Sequence, residues 1–381
     1  MEKLYLLDDA IISPLGFSTE ENMQHLRAGK SGLKLQQRPK LSSRPFYAGM
    51  IDNAKLNNAF SSLDDDGQFT KLEKMCLLAI NGVLEKNPNL SLSDTALIIS
   101  TTKGNIDLLQ GPQNVNKNRV VLAEFGKCIA DFFGFKKTPI IISNACISGG
   151  LALAVAKRLS ATRDFKNAIV LGADLVSDFV ISGFNSFQAL SSEPCKPFSK
   201  SRNGINLGEA AAAILVSRIK PEHDQSVSLI GEATINDANH ISGPSRTGEG
   251  LFRSIQKSLH VSGISAEKID YLSAHGTGTR YNDEMEAIAF NRTGLGKVPV
   301  NSLKAFYGHT LGASALLESI ITKQSMLNNE LFASRNFEEM GVSKPLNILR
   351  NNTKVELNYT LKTASGFGGC NLALVFKKET L

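Results

Sequence analysis

Tryptophan is absent from the sequence, and cysteine accounts for only five of its 381 residues. The cysteines are odd in number and widely spaced, and no two form a CxxC pair, so the pattern predicts no disulfide framework, zinc site or dithiol redox centre. No run of about 18 apolar residues occurs, and Asp8 and Asp9 lie where a signal peptide needs its apolar stretch. We therefore expect a soluble, cytoplasmic protein with free thiols and no membrane partner.

A dense basic run is also missing, although the formal net charge is +6. The lysines and arginines are spread along the chain without interleaved aromatics, so we expect no nucleic-acid partner. An acidic protein partner would suit the same charge. Hydrophobic residues make up 42% of the chain and charged residues 20%, as in folded globular proteins. The length suffices for two ordinary domains or for one large domain with an internal duplication.

Short apolar runs alternate with longer stretches of helical periodicity, which is typical of an α/β fold with buried strands. Such runs lie at residues 95–100, 139–143, 167–172 and 210–217, and the last of them precedes a polar turn. A fresh strand pattern follows that turn, so we predict two related halves, residues 1–220 and 221–381. The alternation by itself does not establish a duplication, because any α/β chain shows it.

The segment from residue 139 to 159 has the pattern of a buried strand, a tight turn and an alanine-rich helix, with Cys146 in the turn. A thiol beside a helix N-terminus is stabilised as the thiolate by the helix dipole and nearby amide hydrogens, so this position is typical of a nucleophile. The alternative is a small buried filler, which is what most free cysteines are. Cys76, Cys128 and Cys195 keep that interpretation.

Three further motifs bring histidine, lysine and glycine into turns beside strands. His275 lies in the glycine-rich loop AHGTGT, where a structural histidine or a phosphate cradle is the alternative to catalysis. Lys304 and His309 lie in a turn before a helix of small and apolar residues. Glu318 follows nine residues after His309, and this spacing leaves the direction of its side chain open. The turn ASGFGGCN, residues 364–371, precedes the last strand, and its amides suit an oxyanion site.

These motifs occur together in the order and spacing of one known family. The AHGTGT loop, the NSxKxxxGHxxGA pattern that begins at Asn301, and the segments GFNSFQALS and KPFSKSRNGINLGEAA resemble the elongating β-ketoacyl-acyl-carrier-protein synthases of the thiolase superfamily, with their Cys-His-His site. The resemblance spans nearly the whole chain. It implies a five-layered α-β-α-β-α thiolase fold built from two similar halves. It also implies an acyltransferase of fatty acid or polyene/polyketide-like biosynthesis, which condenses malonyl carrier protein, with loss of carbon dioxide, with an acyl group held on Cys146.

The resemblance assigns roles to individual residues of this sequence. It implies six catalytic residues: Cys146, His275, His309, Lys304, Phe367 and Glu318. Among them, Phe367 gates the acyl site and shares the oxyanion site with the amide of Cys146. Two threonines of the pantetheine site and two supporting carboxylates complete the set: Thr277, Thr279, Asp283 and Glu286. No metal and no separate cofactor are implied, because phosphopantetheine arrives on the carrier protein. The implied partners are an acyl carrier protein and a second copy of the chain in a homodimer.

Departures from the family pattern leave alternatives open. The cysteine motif reads SNACISGG in place of the usual TAC-type sequence, and the chain is shorter than typical elongating members, which favours a specialised pathway slightly. Cys370 stands where other members carry threonine or serine; thiolases use a late cysteine as base, so a coenzyme-A-dependent thiolase is one alternative, although His309 argues against it. A chain-length-determining subunit without activity is another, and the intact Cys-His-His set argues against it. A heterodimer with such a subunit stays open, and no pattern predicts the acyl chain length or the starter unit.

Overall fold

The computed structural model of the protein describes residues 3–37, 45–64, 67–110, 115–222 and 224–380. Within these ranges the apolar runs form strands, labelled in chain order: β1 (Leu4–Ile12), β2 (Leu33–Gln36), β3 (Phe46–Gly49), β4 (Ala96–Ser100), β5 (Ile140–Ile142), β6 (Asn167–Asp174), β7 (Leu207–Gly208), β8 (Ala210–Ser217), β9 (Gln225–Asn236), β10 (Tyr271–Ser273), β11 (Pro299–Asn301), β12 (Glu330–Leu331), β13 (Asn347–Ile348), β14 (Thr353–Lys354), β15 (Tyr359–Gly366) and β16 (Cys370–Thr380). The α-helices are α1 (Thr19–Arg27), α2 (Asn53–Ser61), α3 (Lys71–Leu84), α4 (Leu122–Phe133), α5 (Ser148–Ala161), α6 (Asp178–Ser186), α7 (Glu249–Ser262), α8 (Arg280–Arg292), α9 (Lys304–Tyr307) and α10 (Ser314–Asn328). Short 3₁₀-helices lie at Ile106–Leu109, Lys117–Val120, Ala266–Lys268 and Leu311–Ala313.

Eleven of the described strands form one continuous sheet in the order β13-β11-β10-β15-β16-β9-β1-β8-β6-β4-β5. The series β5-β4-β6-β8-β1 and the series β11-β10-β15-β16-β9 share the same pairing senses, two parallel pairs followed by two antiparallel pairs. β1 joins the two series by pairing antiparallel with β9 through Leu4, Tyr5 and Leu6. The predicted α/β fold of two similar halves is thereby confirmed, whereas a domain division at residue 220 stays a prediction.

Helices cover both faces of the strands and create the five predicted layers. α5 and α10 pack against each other and against strands of both series, so they form the central layer. α3 packs on β1, β6 and β8 from one outer side, and α7, with α8 beside it, covers β9 and β16 on the other. In β4, Ile98 belongs to the apolar core around the central helices, while Leu97 and Ile99 belong to the core beneath α3. Burial on both faces explains why β4 is a continuous apolar run and not an alternating one.

The two central helices begin side by side because α5 opens with glycines. A Cβ atom at Gly149 would lie 2.8 Å from the carbonyl oxygen of Gly312 and 2.8 Å from the amide nitrogen of Leu316. A Cβ atom at Gly150 would lie 2.2 Å from a methyl carbon of Leu372. Side chains larger than hydrogen would therefore push the helices apart, and glycine permits this contact.

The strand ends explain why distant motifs reach one region. Cys146 follows β5, His275 follows β10 and Lys304 follows β11, each beyond the carboxyl end of a parallel strand. β15 runs parallel to β10, so the turn that carries Phe367 lies at the same edge as His275. Open α/β sheets bind their ligands at such carboxyl ends. The topology thus gathers the predicted site residues.

Among the described residues, no helix is long and apolar enough to cross a membrane. The longest of these helices, α10, has 15 residues. A membrane-spanning helix needs about 20. The predicted cytoplasmic location stays a prediction.

Candidate active site

The turn that holds Cys146 is tight and strained. Ala145 adopts a φ of +44°, in the left-handed region that residues with a Cβ atom seldom occupy. The hydroxyl of Ser148 donates to the carbonyl of Ala145 at 2.7 Å and accepts from the amide of Asn144 at 2.8 Å, so it closes the turn from inside. The Cys146 side chain is 8% exposed and lies two residues before α5. The helix N-terminus therefore favours a negative charge on the sulfur.

Two buried imidazoles face the Cys146 thiol. The Cys146 sulfur and one ring nitrogen from each of His275 and His309 all lie within 4.8 Å of one another. The two rings are edge to face, with centroids 5.1 Å apart and an angle of 83° between their planes. His275 follows Cys146 by 129 positions in the sequence and His309 follows it by 163, and the fold brings all three together. The structure places the predicted Cys-His-His set in one cluster.

A backbone contact fixes which nitrogen of His309 carries the proton. The amide of Leu311 donates to Nδ1 of His309 at 3.1 Å, so Nδ1 is unprotonated and the neutral ring has its proton on Nε2. Nε2 is buried and has no hydrogen-bond partner among the described residues. His309 therefore offers an N–H donor to a bound ligand. A metal ion would need the Nε2 lone pair, so this tautomer favours a donor role over metal ligation.

Both imidazoles are neutral near pH 7. Burial lowers the pKa of His275 well below its ordinary value, and the positive charges of Lys304 and Lys362 act in the same direction. The pKa of His309 is lowered by burial and by Lys304 and Lys103. A neutral imidazole can donate one N–H and accept one proton, so the pair can do both without a net charge in the dry pocket.

The Cys146 thiol is protonated in the resting site. Burial raises its pKa to about 11, while Lys304, Lys103 and the backbone N–H of Phe367 act in the opposite direction. The thiolate is the nucleophile, so the thiol must lose its proton when it reacts. A neutral imidazole is within reach to accept it.

Lys304 and Glu318 form a buried ion pair behind His275. Lys304 is 0% exposed and Glu318 is 3% exposed, and the ammonium contacts Oε1 of the carboxylate. The same ammonium donates to the backbone carbonyl of His275 at 3.0 Å. The side chain of Glu318, whose direction the sequence left open, therefore points towards the site and holds Lys304 against the histidine loop.

Lys362 is a site residue that the sequence analysis missed. It is fully buried in β15, and its ammonium lies 2.6 Å from Oε2 of Glu318. Burial alone would raise the pKa of Glu318, but the two lysines hold that pKa below its ordinary value. Lys362 belongs to no motif, and only the strand pairing places it beside Ser273.

Glu286 and Asp283 shape the histidine loop from α8. Glu286 accepts hydrogen bonds from the backbone N–H groups of His275 at 2.7 Å and of Gly276 at 2.6 Å. Burial raises the pKa of Glu286 to about 7. Asp283 accepts the amides of Thr277 at 3.0 Å and of Phe198 at 2.7 Å. Both carboxylates thus lie where the sequence predicts supporting residues.

A cavity of about 570 Å³ opens above the three clustered residues. Thr277 and Thr279 line it, and their hydroxyls lie 2.9 Å apart. Hydroxyls can donate or accept, which suits the amides of a pantetheine arm. Thr279 also accepts the amide of Asn282 at 3.4 Å as the N-cap of α8, so one of its roles is structural.

Phe367 contacts Cys146 through its backbone and lines the cavity with its ring. Its amide hydrogen points at the Cys146 sulfur. A Cβ atom at Gly366 would lie 3.0 Å from the amide nitrogen of Cys146, so the two amides are neighbours. The ring, 37% exposed, stacks on Phe184 with centroids 5.8 Å apart and meets the edge of Phe187 at 5.4 Å. This arrangement fits the predicted oxyanion and gate roles.

Cys370 does not face the reaction cavity. Its sulfur lies 3.4 Å from the carbonyl oxygen of Phe367 and 3.9 Å from that of Asn144, beneath the two turns that carry the site. Burial raises its pKa to about 12, and the neighbouring Cys146 acts in the same direction. A thiol in this position packs the turns together, so the geometry gives no support to a thiolase-type base.

Comparisons with known proteins agree with this geometry. The family model "Beta-ketoacyl synthase, N-terminal domain" matches residues 9–221, and "Beta-ketoacyl synthase, C-terminal domain" matches residues 227–338. The chain belongs to the β-ketoacyl synthase family. It is 27% identical to 3-oxoacyl-[acyl-carrier-protein] synthase 2 of Coxiella burnetii, over 97% of this chain and 96% of that protein. The synthase 2 of Vibrio cholerae is 26% identical over 97% of both proteins.

The fold of this β-ketoacyl synthase is also that of solved ketosynthases. The complex of the ketosynthase ApeO with its chain length factor ApeC from Xenorhabdus doucetiae contains a chain with a TM-score of 0.86 and 24% identity, covering 99% of this chain and 98% of that one. The predicted family, the β-ketoacyl synthases, is confirmed by the two family models, and the predicted fold by this structural similarity. So is the predicted activity, an acyltransferase that performs a condensation in fatty acid or polyketide-like biosynthesis.

Proposed function

We propose that this chain elongates a carrier-protein-bound acyl group, with Cys146 as nucleophile and His275 and His309 as the groups that stabilise the malonyl-derived enolate. The observation that supports the proposal most strongly is the buried cluster of one thiol and two neutral imidazoles at the base of the cavity. In the first half-reaction, the Cys146 sulfur attacks the acyl thioester of a carrier protein. His275 accepts the thiol proton, because Nε2 of His309 already carries one. The proton then passes to the departing pantetheine sulfur.

The two amides beside the sulfur stabilise the oxyanion of this step. The N–H groups of Cys146 and Phe367 both lie beside the Cys146 sulfur, where the thioester carbonyl would bind, and one such donor is worth about a hundredfold or more in rate. Phe367 must move aside for a long acyl chain, because its ring lies against Phe184 and Phe187. We therefore assign it the gate as well.

In the second half-reaction, malonyl carrier protein loses carbon dioxide. For this step the neutral ring of His275 carries its proton on the nitrogen that faces the cavity, the other tautomer from that of the first half-reaction, so the thioester carbonyl accepts hydrogen bonds from the N–H groups of both His275 and His309. The bond to the carboxylate carbon breaks, and its electron pair forms the enolate as carbon dioxide leaves. The enolate carbon attacks the acyl-cysteine, the carbon–sulfur bond to Cys146 breaks, and the Cys146 thiolate that leaves takes up a proton from solvent to restore the resting thiol. Lys304, with Glu318, holds the loop of His275 in place, while Thr277 and Thr279 bind the pantetheine arm. The arm arrives on the carrier protein, so no separate cofactor takes part.

Intact mass spectrometry tests this proposal directly. The purified chain is incubated with a series of acyl carrier proteins and then with malonyl carrier protein, with Cys146→Ala as control. We expect an acyl adduct on the wild-type chain only, and its loss together with carbon dioxide release after malonyl addition. The chain length that loads fastest gives the acyl preference. No adduct with any donor would overturn the proposal and favour an inactive partner subunit.

The assembly is a second part of the proposal. β5 lies at the edge of the large sheet, and its three isoleucines are only half-buried in the single chain. An exposed apolar edge strand is a ready pairing surface, so we propose a homodimer through β5. The ketosynthase ApeO forms a complex with a chain length factor, which makes a heterodimer the alternative. Light scattering of the purified chain distinguishes them, because a monomer that dimerises only with a second gene product contradicts the homodimer.

A further inference from the structure

Lys362 is a buried lysine whose ammonium contacts one carboxylate and three backbone carbonyls. Its ammonium contacts Glu318 at 2.6 Å and donates to the backbone carbonyls of Thr363 at 2.7 Å, Ala274 at 3.2 Å and Ser273 at 3.3 Å. Ser273 and Ala274 are the two residues directly before His275. Lys362 therefore ties the final strand pair to the backbone that carries a reacting imidazole.

The number of charges around Glu318 goes beyond what pairing requires. Lys304 alone would neutralise this carboxylate, and an ammonium buried without need is costly. Burial lowers the pKa of Lys362, while Glu318 acts in the opposite direction. The second ammonium thus adds positive potential beside the site. If this position served only to fill the core, an apolar side chain there would avoid the free-energy cost of burying a charge.

We propose that Lys362 is a positioning residue of the condensation: it fixes the backbone before His275 and keeps both imidazoles in the neutral form that the reaction uses. The inference rests on the proposed roles of Cys146 and the two histidines. Its support is geometric, because the lysine bonds to the residues next to His275, and electrostatic, because its charge lowers the pKa of both His275 and His309. A protonated His275 cannot accept the Cys146 proton, so loss of Lys362 must impair acylation first at low pH.

Several charged groups act on the imidazoles from the surrounding elements, and a pH experiment reports their sum. Lys304 on α9 and Lys362 on β15 lower the pKa of both imidazoles, Lys103 beyond β4 lowers that of His309, and His309 lowers that of His275. Cys146 beyond β5, Glu286 on α8 and Glu318 on α10 are the other titratable groups packed around the pair. The sign for Lys362 is clear: its positive charge opposes the imidazolium, so its removal raises the imidazole pKa. The acid limb of the rate profile then moves to higher pH.

The test compares Lys362→Met, Lys362→Arg and the control Lys323→Met. Lys323 is also a buried lysine, paired with Asp9 at 2.7 Å, but it is not among the groups that lower the pKa of the two imidazoles. The initial rate of acyl adduct formation on Cys146 is measured by intact mass from pH 5 to 8. We expect the acid limb of Lys362→Met to move up by about one pH unit. Lys362→Arg keeps the charge and should retain the wild-type limb, as should Lys323→Met.

An unshifted limb in folded Lys362→Met would overturn the inference, as would an equal shift in Lys323→Met. If Lys362→Met does not fold, Lys362→Gln replaces it, because glutamine keeps a donor for the carbonyls but has no charge. A wild-type chain without any adduct would overturn the proposed function, and this inference with it. Normal wild-type acylation with no shift in the charge-free variant would overturn the inference alone.

Discussion

Two substitutions of His309 separate its two hydrogen bonds. Nδ1 accepts a hydrogen bond from the amide of Leu311, and Nε2 carries the proton that, in the proposed mechanism, is donated to the malonyl carbonyl. In His309→Asn, the side-chain oxygen takes the place of Nδ1 and nothing reaches the position of Nε2. In His309→Gln, the amide nitrogen reaches the position of Nε2 and nothing accepts from Leu311. The asparagine variant should therefore keep the fold, and the glutamine variant should keep part of the chemistry.

The expected magnitudes follow from these contacts. Removal of one donor to a developing oxyanion costs about 10²- to 10³-fold in rate, so His309→Asn should lose that much condensation. His309→Gln should lose at least about tenfold less, because a donor remains. Conversely, the buried amide of Leu311 is left without a partner in His309→Gln, which lowers the free energy of unfolding by about 1–3 kcal/mol. His309→Asn should change it by less.

The assay isolates the second half-reaction. Each variant is first loaded with an acyl group on Cys146, checked by intact mass, and then mixed with malonyl carrier protein in a single turnover. Product and carbon dioxide are measured against time, and urea unfolding gives the stability. A condensation rate of His309→Asn within threefold of wild type would refute the donor role. Equal losses in the two variants would refute the assignment of the proton to Nε2.

Three further predictions concern the nucleophile, the buried carboxylate and the helix contact. The rate at which iodoacetamide modifies Cys146 should rise about tenfold per pH unit between pH 7 and 9, because only the thiolate reacts and burial raises the thiol pKa to about 11. Intact mass measures the modification, with Cys146→Ala as control. A rate that levels off near pH 8 would contradict this prediction. Glu318→Gln leaves two buried ammonium groups without a counter-ion and should lower the free energy of unfolding by about 3–5 kcal/mol; urea unfolding within about 1 kcal/mol of wild type would disprove it. Gly149→Ala should lower the free energy of unfolding by about 1–3 kcal/mol, whereas Gly183→Ala, whose Cβ atom would meet no atom of the described residues within 4 Å, should be neutral or stabilising. Matching urea midpoints would contradict the close helix contact.

The parts of the site that sequence analysis located are those defined by local geometry. Cys146 stands in a strand-to-helix turn and His309 in a turn before a helix, and such turns have their own residue patterns. Lys362 has no such pattern: it lies inside a strand, and its importance comes from a contact with Glu318 across the sheet. The direction of Glu318 was undetermined for the same reason, because nine residues of helix fix a rotation only when the packing of the helix is known. Ion pairs between residues far apart in the sequence could therefore not be predicted from the sequence.

The duplicated topology explains why the site forms where it does. β5 and β11 occupy equivalent places in the two series, and each is followed by a central helix, α5 or α10. Gly149 lets the start of α5 lie against Gly312 and Leu316 at the start of α10, so two helix N-termini, each with its partial positive charge, lie at one point of the molecule. Cys146 precedes one of them and His309 precedes the other. In the proposed mechanism the anions, first a thiolate and then an enolate, therefore form where the backbone of both halves stabilises negative charge, and the same field opposes protonation of the imidazoles. Cys146 follows a strand of one series, whereas His275 and His309 follow strands of the other, so the cluster draws on both halves of the sheet.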